Sequence, residues 1–262
     1  MSRQSKKPNP RPRSISLRHV IGLPNRLKTK FQHQFLNRHL GNHAVETYYA
    51  LAEASIIGVV SALAALLLKQ GIGGLGRFRL YLVDDWGVWV LPFFGFVFCW
   101  LAGWLVEHLS PAAKGSGIPQ VKAALAKFPV PLSLGVAFVK MLGTILILGA
   151  GLTLGRRGPT VHIGAALAAG LSNWVPTSPQ HRRQMIAAGA AAGLAAGFNT
   201  PIAGVLFVVE ELSRDMSGLT LETAILASFT GSVVSRLLGS ADLNFTSTLL
   251  TPVIAHEFTA VD

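Results

Sequence analysis

Three short segments place glycines, a small or charged residue and then a proline ahead of an apolar run: Gly115-Ser116-Gly117-Ile118-Pro119, Gly155-Arg156-Arg157-Gly158-Pro159 and Gly197-Phe198-Asn199-Thr200-Pro201. Proline suits the first position of a helix, where its missing N–H would have had no partner. The glycines before it let the backbone turn tightly and come close to a ligand. Each segment therefore predicts a helix N-terminus with free N–H groups and the positive end of the helix dipole. Such ends bind anions without a full positive charge, and loosely enough for the ion to leave. Ser116 adds a hydroxyl donor at the first break. Pro-kinks packed by neighbouring helices are the competing reading, and three in close succession weigh against it.

The remaining polar groups divide into two readings each. Glu210 and Glu211 sit in an apolar run, where an acid is a functional candidate by default. They could equally lie at a helix end beside Arg214. Lys140 could raise the positive potential of a pore, or snorkel or pair within the fold. His162, three residues after Pro159, is expected to serve helix packing. Gly189, Gly193 and Gly197 form a ladder of small residues that permits close helix contact. The eight histidines lack ligand spacing, and one cysteine, Cys99, supplies neither a disulfide framework nor a Cys-rich zinc site. No phosphate loop, catalytic triad or acid–base pair is present. The chain is expected to be no enzyme and to use no cofactor or metal.

The elements that carry these residues belong in a membrane. Half of the 262 residues are apolar and 13% are charged, and the mean hydropathy is +0.46. That composition excludes a disordered chain and leaves too little polar surface for a water-soluble domain. Ala50–Leu68, Val88–Leu109, Leu134–Leu154 and Leu221–Leu238 read as apolar spans, with Gln70–Gly87 as a connection. Met185–Gly197 and Pro201–Glu211 are shorter, about 20 Å and 16 Å as helix against a hydrocarbon core of about 30 Å. Broken helices at membrane depth are tolerated only within protein or along a wet cavity, which is a transport architecture.

The net charge of +11 is localised. Residues 1–44 hold ten basic side chains and no acid, leaving +1 on the rest. Prolines 8, 10 and 12 make the start of this tail extended, and Phe31, Phe35, Leu36 and Leu40 could form a stripe on a surface helix. A cytoplasmic anchor touching anionic lipid fits the positive-inside rule, with a transit peptide and nucleic-acid binding as the other readings. The nucleic-acid reading is set aside. The N-terminus, the 110–133 region and the turn at His181-Arg182-Arg183 would all face the cytoplasm, and the closing residues, 241–262, would lie outside.

Gly115–Pro119, GRRGPTVHIG (155–164) and AAGLAAGFNTPIAGVLFVVEEL (191–212) together resemble the CLC family of chloride channels and proton/chloride antiporters. The motifs keep the family's order and spacing, and the resemblance covers about residues 45–240. It implies an all-α polytopic membrane protein. The chain would form the first inverted-repeat half of a CLC-like fold, with broken, tilted helices. Residues 1–44 would be a basic tail and 241–262 a polar end segment. The second half would bring a Gly-x-Phe-x-Pro break and a pore tyrosine, and no match to them follows Leu238. The resemblance makes Ser116, Gly117, Ile118, Arg157 and Gly158 anion-binding positions and Glu211 a candidate proton-transfer group. It implies chloride as ligand and a homodimer, or a second-half chain, as partner in the bilayer.

One residue departs from the pattern. The family's motif reads Gly-Arg-Glu-Gly-Pro, and its glutamate gates the pore and carries the proton, whereas this chain has Arg157. A guanidinium stays protonated throughout the physiological range. It could hold an anion or fold toward an acid. The expectation is passive anion transport without proton coupling, with a nonconducting subunit, anchor or degenerate fragment as the alternative.

Overall fold

A computed structural model describes residues 25–173, 178–212 and 217–239, with side chains described from Thr47 among the first of these. Residues Met1–Glu46 cluster as one unit and Thr47–Asp262 as another. The extended tail, the side-chain stripe from Phe31 to Leu40, Arg214 and the end segment lie outside the described residues.

Among the described residues eight helices run in chain order: α1 (Asn25–Trp86), α2 (Val90–Leu109), α3 (Ile118–Leu125), α4 (Leu134–Gly149), α5 (Arg157–Leu171), α6 (Pro179–Phe198), α7 (Pro201–Phe207) and α8 (Gly218–Gly239). A 3₁₀ turn at Pro111–Ala113 precedes α3, and a π-helical segment, Val208–Leu212, extends α7. No strand occurs among the described residues. Among the described residues three helices are long and apolar enough to cross a membrane: Thr47–Trp86 of α1, then α2 and α8.

The core is built from small residues on α5 and α6. From Gln184 to Ala196 every side chain of α6 is buried, and most are alanine or glycine. The glycine ladder faces α5 at the closest distance a backbone allows. A methyl group at Gly193 would meet the Thr160 carbonyl, and one at Gly189 would meet the Gly164 carbonyl. Helices in a membrane gain little by hiding apolar surface from lipid, so such close packing is what holds them together. The Ser235 hydroxyl donates to the Ala196 carbonyl at 2.9 Å, which fastens α8 to the other side of α6. On α1, Glu53 accepts from the Ser172 hydroxyl at 2.7 Å and pairs with His181 Nε2 at 2.6 Å. An acid inside an apolar run is thereby satisfied by α5 and α6.

Three boundaries differ from the sequence reading, each for a local reason. The expected connection Gln70–Gly87 is helical as far as Trp86. There Gly71 packs on Ile145 and Leu75 packs on Gly149, so contact with α4 carries the helix past its apolar stretch. Helix α4 stops at Gly149 rather than Leu154, because Gly151 turns into the left-handed region at φ +101°. Helix α6 begins at Pro179 and has 20 residues, about 30 Å, so the 13-residue estimate was too short. Hydropathy missed its polar first turns, which Ser178 caps by accepting from the His181 N–H at 3.2 Å.

Candidate anion site at three helix ends

Each glycine–proline break opens a helix shorter than a membrane span. Helix α3 has 8 residues, α5 has 15 and α7 has 7 before its π-helical extension. At 1.5 Å per residue these are about 12, 22 and 10 Å. Gly117 caps α3 at φ +98°, a left-handed conformation that side-chain-bearing residues rarely adopt. Thr200 occupies the corresponding position ahead of Pro201.

The three breaks, far apart in sequence, meet in space. A Cβ at Gly158 would strike the carbonyl of Ser116, so only glycine lets the start of α5 lie against the first break. Gly197 abuts the Thr160 side chain, and the Arg156 guanidinium lies 5.6 Å from the Phe198 ring centre, so the third break also touches α5. The Thr160 hydroxyl bonds the carbonyls of Arg156 and Arg157 at 3.1 and 2.9 Å and holds the first turn of α5 in place.

Lys140 decides the electrostatics of this region. Its side chain is 7% exposed, and its ammonium donates to the Ala113 carbonyl at 3.0 Å and to the Gly115 carbonyl. The lysine is thus the paired group of the two sequence alternatives, and the pairing places a positive charge on the loop that carries Ser116. A cavity of about 480 Å³ lies here, bordered by Ser116, Ile118, Lys140, Thr144, Gly158 and Pro159. One exposed hydroxyl, two helix starts and a buried ammonium around one space suit a small anion. The brace from Lys140 to the loop at 113–115 had no sequence signal, since 25 or more residues separate the partners.

Arg157 lies on an aromatic ring, a posture with no signal in the sequence. Its guanidinium carbon stands 4.1 Å from the centre of the Phe207 ring, so the charge rests on an aromatic face of α7. Glu211 lies on the π-helical segment, half exposed, with Lys122 Nζ at 3.1 Å. His162 is 1% exposed and packs against Gly117, as a packing role requires. Neither ring nitrogen has a hydrogen-bond partner among the described residues.

Comparison with known proteins follows the same outline. A family model described as voltage gated chloride channel matches residues 98–260. The H(+)/Cl(-) exchange transporter ClcA of Yersinia pestis bv. Antiqua (strain Angola) is 33% identical over 210 residues, covering 77% of this chain and 44% of the relative. That of Cronobacter sakazakii is 32% identical over 222 residues, covering 82% and 47%. Among solved structures, a slow cyanobacterial Cl−/H+ antiporter superposes with a TM-score of 0.67 at 27% identity, over 72% of this chain and 46% of that one. A CLC-type fluoride/proton antiporter gives 0.65 at 27% identity, over 74% and 48%. The chain therefore spans just under half the length of the relatives it matches. With the family motifs gathered at one site and more than half of the chain matched, the protein belongs to the voltage-gated chloride channel family, as an integral membrane protein built on part of the CLC fold.

Proposed function

We propose that this chain forms one wall of a passive chloride pathway, with its N-terminus in the cytoplasm and a second copy as partner in the bilayer. The observation that carries the proposal is Arg157, a permanent cation where the motif of the resembled family has glutamate, resting on Phe207 at 4.1 Å. An anion in the cavity would be met by the Ser116 hydroxyl, the N–H groups at the starts of α3 and α5, and the field of Lys140. Gly117, Ile118 and Gly158 contribute backbone rather than side chains. A cation–π contact of this kind is worth about 0.5–2 kcal/mol, so an anion in the cavity can draw the guanidinium off the ring. Released, it would bind the anion strongly: a unit pair at 4 Å is worth roughly 4 kcal/mol at an effective dielectric of about 20. Arg157 would then slow the ion.

Proton coupling needs a group that gains and loses a proton beside the anion, and a guanidinium does neither. A second half, on whichever chain it is carried, would close the side of the cavity where Arg157 and Leu154 are exposed. The named relatives are exchangers, so the deciding measurement is chloride flux from reconstituted vesicles with and without an imposed proton gradient. The native protein should pass chloride at a rate that the gradient leaves unchanged. Gradient-driven chloride uptake by the native protein would defeat the proposal. Silence from both the native protein and Arg157→Glu, with folding intact, would favour a nonconducting subunit.

A further inference from the structure

A second cavity, of about 600 Å³, lies where α3 ends and α6 and α8 begin, away from the three breaks. Lys122, Lys127, Arg183, Gln180, Gln184 and Ser217 are among its lining residues, and no acid among the described residues lines it. Lys122 is occupied by Glu211 at the edge, but Lys127 and Arg183 have no hydrogen-bond or ion-pair partner among the described residues. Both also border an adjoining space of about 180 Å³, together with Arg182, whose buried Nε is without a hydrogen-bond partner. Two cavities thus share a wall of cations.

The backbone holds one of these cations in an unusual place. Lys127 has φ +70° at the end of α3, where its N–H bonds the Ala124 carbonyl and that of Phe128 bonds the Ala123 carbonyl. That pattern closes a helix through a left-handed residue, a position that favours glycine. A lysine here is disfavoured by the local conformation, and its side chain lines both cavities. Gln184, 7% exposed, donates to the Ser217 hydroxyl at 3.4 Å, so the polar floor is built rather than incidental. The first turns of α6 and α8 add the positive ends of two helix dipoles.

We infer that this cavity binds a phosphate-bearing anion of multiple charge. Its volume far exceeds a monatomic ion, and its cations are spread over two elements instead of converging on a point. Guanidinium forks bind phosphate oxygens in pairs, which chloride cannot exploit. The same chemistry is offered by free pyrophosphate and by a phosphorylated lipid headgroup. The cavity shares no lining residue with the one at the breaks, so binding can be read without flux.

The test is titration of inorganic pyrophosphate into the detergent-solubilised native protein in about 0.1 M chloride, at the ionic strength of a cell. Vesicles of phosphatidylcholine with and without phosphatidylinositol 4-phosphate form the second arm. Lys127→Gly keeps the left-handed backbone and removes the charge, so its melting midpoint should not fall. Its affinity, and that of Arg183→Gln, should drop roughly tenfold or more. Binding to pyrophosphate identifies a soluble ligand, and binding only to phosphoinositide vesicles identifies a headgroup. Either result supports the site. No saturable binding of either probe, unchanged affinity in both variants, or complete displacement by chloride would overturn it.

Discussion

At the scale of single residues, the site rests on groups whose neighbours give them their meaning. Lys140 is the clearest. Within a hydropathy pattern it is one charge in an apolar helix, but its ammonium joins α4 to the carbonyls of Ala113 and Gly115. Lys140→Met keeps most of the volume and removes the donor, leaving two carbonyls unpaired. The loss should be about 2–4 kcal/mol, given that hydrogen bonds to charged groups contribute more than neutral ones. The expected outcome is a lower melting midpoint in detergent and weaker chloride binding, measured by calorimetry on the same sample. An unchanged midpoint would show that the brace contributes nothing. Arg157 teaches the complementary lesson. Its substitution for a carboxylate is visible in the motif, whereas its resting place on Phe207 lies 50 residues along the chain.

At the scale of elements, glycine content misleads unless the opposing surface is known. Gly193 lies against the Thr160 carbonyl, where α5 and α6 are too close for a side chain. Gly74, on α1, has nothing within 4 Å of where a Cβ would stand. The two should respond to alanine with opposite sign. Gly193→Ala forces two backbones apart and should destabilise by about 1–3 kcal/mol, as overpacking does. Gly74→Ala should stabilise by about 0.4–1 kcal/mol, because the substitution restricts the unfolded chain at a helical position. Thermal melts of both variants in one detergent check the pair. Equal shifts would mean that the ladder is not the contact that sets the spacing of α5 and α6.

For the whole molecule, the question is what covers the apolar surfaces that remain. On α8, Ile225, Phe229 and Val233 are 40%, 45% and 53% exposed and recur every fourth residue. On α7, Ile202 and Leu206 are 64% and 58% exposed. The proposed second copy would cover this surface. Cysteines at Leu206 and Phe229, in a chain with Cys99 replaced by serine, should then cross-link between protomers when membranes are treated with oxidant. Monomer alone on a non-reducing gel, with cysteines that react freely with a soluble thiol reagent, would argue for lipid contact instead.

The sequence by itself determined the class of protein and the local chemistry of the breaks. Composition excludes a soluble chain, and prolines 119, 159 and 201 mark helix starts because proline chemistry is local. The resemblance to the chloride-channel family also rests on linear motifs, which comparison bears out. Element ends were less legible where packing decided them. The run after Gln70 stays helical against α4, and α6 extends through polar turns that hydropathy discounts. Tertiary structure alone brought Gly158 to Ser116, Lys140 to Gly115 and Arg157 to Phe207, because no periodicity encodes contacts between separate helices. An anion site made from helix ends depends on where those ends meet, and that is a property of packing.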